Sequence, residues 1–198
     1  MAASPARAEQ DLLNLRIADF LERLASEQLT SGSGAACGVV VSLAAALVAS
    51  CARTSLGHWD GAAGALAQAE ALRSRAAPMA QSGADAYLRA RAMLQSVHET
   101  DPNELGDALD AAAWAPLRMA ETAADVALLA ADLCEHGRPE VAPDAAAAAA
   151  LAHAASRAGC HLVAVNLLTR ANDEYLERAK RAVAAAAAAN ERGFARPF

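Results

Sequence analysis

Residue types that do chemistry are sparse in this chain, and few of them stand at spacings that let them act together. Five histidines (His58, His98, His136, His153, His161) and four cysteines (Cys37, Cys51, Cys134, Cys160) show no HExxH, no CxxC and no metal-ligand spacing on one helical face. No metal centre is therefore expected. Cys160 and His161 are adjacent, but neighbours on a helix diverge by about 100° and do not form a nucleophile and base. GxxxxGK[ST], GxGxxG after a strand and GxSxG are all absent, which disfavours nucleotide-dependent chemistry and the serine-hydrolase elbow. Polar groups at helix ends remain. Ser31, Gly32, Ser33 and Gly34 precede an apolar helix, where backbone amides either hold an anion or simply lead the chain into the helix. His58 lies in the loop after that helix, as a base titrating near neutral pH or as an exposed loop residue. Asp144 opens the last helical region, as an N-cap or as a reacting carboxylate. Asn166 sits about 60° from the stripe Leu151, Ala155, Ala158, Leu162 and Val165, and a half-buried amide needs partners.

The elements that must position these groups read as helices. Leu13, Ile17, Phe20, Leu21 and Leu24 fall on one face of an amphipathic helix ending near Ser26. Ala35 to Ala52 follows as 18 uncharged residues. Its alanines, Gly38, Ser42 and Ser50 make it a weak membrane span and a better buried helix of a soluble bundle. After a break around Gly57 to Gly61, a long helical pattern runs to Val97, with Pro78 expected to kink or divide it. Asp101-Pro102 starts the next helix, which stops at Gly137 and is expected to bend at Pro116. Residues 138–143 read as a loop, and the final helical region to about Arg192 is expected to break near Gly159. Residues 1–10 read as a disordered polar tail, and 11–198 as one helical domain.

Composition agrees. Of the 198 residues 59 are alanine, while aromatics make up 4%. Alanine favours helix and the strand formers are few, so a sandwich, barrel or Rossmann sheet is not expected. The formal net charge of −6 and the single lysine, Lys180, disfavour a nucleic-acid partner. The N-terminus has no basic start followed by an apolar core, so secretion is not expected. The four separated cysteines read as small core residues in a reducing cytoplasm. The expectation is a single all-α antiparallel bundle of five to seven helices. Alanine-faced helices bury little apolar area each, so a homodimer is expected to add stability.

The segment FLERLASEQLTSGSGAACGVVVSLAAALVASC at 20–51 resembles the opening of the formimidoyltetrahydrofolate cyclodeaminase and methenyltetrahydrofolate cyclohydrolase family. DAY at 85–87, APLRMAE at 115–121, GRPEVAPDAAAAAALAHAA at 137–155 and LVAVNLL at 162–168 continue the resemblance in the same order, over about Phe20 to Asn190. It implies a soluble all-helical homodimer that acts on one-carbon forms of tetrahydrofolate without metal or other cofactor. Cyclohydrolase members add water to the methenyl bridge, and cyclodeaminase members close a formimino group and release ammonia. A stand-alone domain is the form that the resemblance associates with the cyclohydrolase.

Departures from the family pattern bear on the site. Ser31 stands for a proline, Ser33 for a glycine and Ala35 for a serine, with Gly32 and Gly34 kept. Gly57-His58-Trp59-Asp60-Gly61 aligns with Gly-Lys-Lys-x-Tyr, so both lysines and the tyrosine are gone. Gly83 stands where the family carries an acid. Asp144 and Asn166 keep their family-like places. They are 22 residues apart, about 33 Å along an unbroken helix. One pocket can use both only if the helix breaks near Gly159 or a second subunit contributes one of them. The leading expectation is hydrolysis of 5,10-methenyltetrahydrofolate to 10-formyltetrahydrofolate, with Asp144 and His58 reacting and Ser31, Gly32, Ser33, Gly34 and Asn166 binding. The alternative is a non-catalytic folate-binding or dimerisation module.

Overall fold

Alanine-rich, β-poor stretches punctuated by Gly, Pro and Asp give helices and short connections. The computed structural model describes residues 15–26, 32–96, 101–167 and 173–195, with backbone alone at 77 and 80–85. The expected tail at 1–10, Leu13 and Ser31 lie outside them. The helices are α1 (Ile17–Ala25), α2 (Gly32–Thr54), α3 (Ala62–Gln95), α4 (Pro102–His136), α5 (Ala142–Asn166) and α6 (Glu174–Phe194), with a 3-10 turn at Pro139–Val141. There is no strand among the described residues, and the all-α bundle expected from composition is what forms.

Helix α4 packs against α5, α6 and α3, while α2 packs against α3 and α5. Short connections at 55–61 and 137–141 reverse the chain, so α2 and α4 each run antiparallel to the helix that follows. The interior is mostly alanine. Ala44, Ala45, Ala52, Ala120, Ala127, Ala148 and Ala149 surround Val41, Val48, Val126 and Leu133. Helix α2 is long and apolar enough to cross a membrane, yet 56% of its most apolar window is buried inside the bundle, where it serves as a core helix. Cys37, Cys51 and Cys134 are buried and Cys160 is partly so, all as free thiols.

The structure corrects several boundaries. Helix α5 does not break at Gly159. A Cβ there would lie 3.0 Å from the Pro116 carbonyl oxygen and 3.1 Å from Ala120 Cβ, so this glycine lets α4 and α5 touch backbone to backbone. Pro78 and Pro116 are carried inside continuous helices. Helix α2 begins at Gly32, so the small-residue loop is its first turn. Helix α5 begins at Ala142, which places Asp144 third in the helix, while Val141 is the N-cap and makes no side-chain cap. In α1 the face turns: Phe20 is buried, but Ile17 and Leu21 point outward.

Candidate functional site

The connection after α2 is built around two glycines. Gly57 has φ +73°, a left-handed conformation that residues with a Cβ rarely adopt. Gly61 lies against the Trp59 indole, and a Cβ at 61 would collide with that ring. Trp59 in turn faces His136, the last residue of α4, with ring centroids 5.7 Å apart and planes tilted by 31°. The loop is joined to the turn between α4 and α5. Ser55, fully buried, accepts from the Arg138 backbone N–H at 3.1 Å. Cys51 Sγ lies 3.7 Å from the Val141 carbonyl oxygen, and Cys134 Sγ 3.7 Å from that of Ala142. Burial pushes the Cys51 thiol up to about 11, with Asp144 and Cys134 adding to the shift. The Cys51 thiol is thus neutral, and both cysteines pack at the head of α5, consistent with their reading as core residues.

His58 and Asp144 both project from this end of the bundle. His58 follows the anchored Ser55 by three residues, and Asp144 follows the anchored Val141 by three. Both are exposed. A carboxylate in the first turn of a helix is favoured by the partial positive charge of the free N–H groups. His136, beside Trp59, is a second imidazole at the same end. Its place one residue before Gly137 was a helix-stop signal in the sequence, and nothing there linked it to Trp59.

The other candidates stand elsewhere. Gly32, Ser33 and Gly34 form the first turn of α2, at the far end of a helix of 23 residues, about 34 Å long. Ser33 is exposed and Gly34 is buried, while Gly32 approaches Leu24 of α1 so closely that a Cβ would lie 3.1 Å from Leu24 Cδ1. Asn166 closes α5. Its Nδ2 donates to the Ala112 carbonyl oxygen at 2.7 Å. In a regular helix that carbonyl accepts from the N–H four residues on, but residue 116 is proline and has none. The amide of Asn166 supplies the missing donor. With α5 unbroken, Asp144 and Asn166 are about 33 Å apart in one chain. A single chain therefore brings His58 and Asp144 to one end and leaves the α2 first turn and Asn166 at the other.

Comparison with known proteins decides the family. The formiminotransferase-cyclodeaminase family matches residues 16–185. The chain belongs to this family. It is a family of folate one-carbon metabolism. The fold is that of the crystal structure of formiminotetrahydrofolate cyclodeaminase from Thermotoga maritima, with TM-score 0.80 and 24% identity over 92% of this chain and 95% of that one. No curated protein matches the sequence. Within this cyclodeaminase-family chain, the Trp59 packing explains one departure: with the indole lying over residue 61, the tyrosine implied there by the resemblance has no room. The side-chain surroundings of Gly83 lie outside the described residues.

Proposed function

We propose that the protein binds a reduced folate and hydrolyses 5,10-methenyltetrahydrofolate to 10-formyltetrahydrofolate at the end of the bundle that carries Asp144 and His58. One observation carries the reading. Asp144, which the resemblance matches to a family aspartate, stands in the first turn of α5, and the joined connections leave His58 of the α2–α3 loop at the same end. The methenyl carbon is an electrophilic amidinium, so the chemistry needs a base and an ordered ring more than it needs a metal. A base takes a proton from water as the oxygen bonds to that carbon. The neutral adduct then collapses: its hydroxyl proton passes to N5 as the bond between the carbon and N5 breaks, which leaves the formyl group on N10. Histidine suits the base by residue type, and Asp144 suits orientation of the cationic amidinium toward the attacking water.

The unit that acts is proposed to be a homodimer. Helix α2 is uncharged from Ala35 to Ala52 and exposes Val39 and Leu43, one turn apart, on the face turned away from its own bundle. A second copy would cover that stripe, and could also bring its own distant residues nearer to this site.

The test is the loss of methenyltetrahydrofolate absorbance, corrected for hydrolysis by buffer. Catalysed decay is expected, falling on the order of 100-fold in Asp144→Asn or His58→Gln with unchanged melting temperature. Undiminished rates in both variants would overturn the assignment. A second reading, folate binding without turnover, is favoured by the Trp59 ring filling the space over Gly61. It would show as no catalysed decay together with thermal stabilisation by 10-formyltetrahydrofolate, about 2.7 kcal/mol at 100 times its dissociation constant.

A further inference from the structure

A second cluster of side chains lies where α4 meets α6, and the folate chemistry above does not use it. Trp114 keeps 45% of its surface exposed, although tryptophan is a residue that folding usually covers. Arg118, one turn on in α4, has its guanidinium carbon 5.9 Å from the indole centroid, and Arg178 of α6 has its own at 5.6 Å. Both distances lie within the roughly 6 Å at which a cation is attracted to an aromatic face, so each guanidinium already interacts with the indole, whose remaining surface stays exposed. Tyr175 adds a second aromatic ring, its centroid 5.6 Å from that of Trp114 at a 52° tilt.

One carboxylate orients both cations. Glu121 Oε1 accepts from Arg178 Nε and Nη2 at 3.0 and 2.8 Å, and its Oε2 accepts from Arg118 Nη1 at 2.7 Å. Two guanidiniums and one carboxylate leave the triad with one positive charge. Joining α4 to α6 accounts for the Glu121–Arg178 pair. It does not account for the aromatic surface left exposed beside both arginines. Further acids stand one turn away on the same helices, Asp110 and Asp125 on α4 and Glu174 on α6, and burial pushes the Asp125 carboxyl upward.

We propose that Trp114, Tyr175, Arg118 and Arg178 form a binding site for a planar aromatic ring that carries a carboxylate. The ring would stack on the exposed part of the indole, and the carboxylate would take donors of the two guanidiniums that Glu121 does not occupy. Planar guanidinium forks match carboxylate geometry, and Glu121 already holds them in place, which lowers the ordering cost of binding. This site is independent of the chemistry assigned to Asp144 and His58, which project from the α5 head.

The experiment is a fluorescence titration with p-aminobenzoyl-glutamate in Trp59→Phe, where Trp114 is the remaining tryptophan. Saturable quenching of Trp114 is expected, weakened about tenfold or more in Arg118→Gln, a change that leaves the α4–α6 ion pair intact. Arg178→Gln should weaken it similarly, with circular dichroism confirming that the variant stays folded. 4-Aminobenzamide, the same ring without a charge, should bind at least about tenfold more weakly. Non-saturable quenching, equal binding of the amide, or full affinity in a folded Arg118→Gln protein would each overturn the proposal. Since the probe has neither a pterin nor a one-carbon unit, its binding and methenyl hydrolysis can fail separately.

Discussion

At the scale of residues, the most telling pair is Pro116 and Asn166. A proline inside a helix removes one donor, and Asn166 returns it from another helix. Asn166→Ala should therefore cost about 1–3 kcal/mol, the penalty for a carbonyl left without a partner. In a Pro116→Ala background the new N–H reaches Ala112, and the same change should cost much less. A double-mutant cycle in urea measures this coupling, and a value near zero would show that the bond carries no weight. Cys51 supplies a pH dependence. Its thiol is held neutral in the fold up to about 11, whereas an unfolded thiol ionises near about 8.5. A raised acid stabilises the fold below the unfolded value, and that contribution is lost as pH climbs between the two. Urea midpoints should fall between about pH 8.5 and pH 11, and fall less steeply in Cys51→Ala. Parallel slopes in the two proteins would rule this out.

At the scale of elements, the glycines separate into two kinds. Gly106 in α4 has nothing within 4 Å of an added Cβ, while Gly159 in α5 meets the Pro116 and Ala120 backbone at 3.0 and 3.2 Å. Gly106→Ala should stabilise by about 0.5–1 kcal/mol, the ordinary helix-propensity gain. Gly159→Ala gains the same propensity but forces two helices apart, with an expected net loss of about 1–3 kcal/mol. Thermal melts of the two variants test the contrast, and equal shifts would mean that the α4–α5 crossing is not limited by this contact. The start of α4 was open to reading from sequence, whereas α6 begins after Asp173 and not after the break expected near Gly159. Asp101 accepts from the N–H groups of Asn103 and Glu104, and Asp173 from that of Tyr175, because an aspartate before a helix satisfies donors the helix itself leaves free.

At the scale of the whole molecule, an interior built from alanine has many close backbone contacts and few large side chains, so an added interface has more weight than in a leucine-rich bundle. Leu43→Glu places a charge in the exposed apolar stripe of α2. If that stripe is the dimer interface, light scattering at micromolar concentration should show the wild type at twice the chain mass and the variant at one. A monomeric wild type, or a dimeric variant, would remove α2 from the interface. The two-ended arrangement of candidate residues gives this measurement a consequence for function, since a second subunit is the route by which an α2 first turn could approach an α5 head.

Helix content, the stops at Gly57 and Gly137, the Asp101 start and the family resemblance were all legible along the chain, because each depends on neighbours a few residues apart. Propensity, capping and periodicity are local free energies, and the folded protein keeps them. Gly159 was misread for the same reason. As an isolated signal it costs a helix about 1 kcal/mol, but between α4 and α5 it is what permits contact. Likewise nothing local links Asn166 to Pro116, Trp59 to His136, or Trp114 to Arg178, which lie 50, 77 and 64 positions apart. Those pairings follow from which helices cross and where. Crossing is decided by how side chains of different helices interdigitate, a property of the assembled bundle that periodicity along one strand of sequence does not carry.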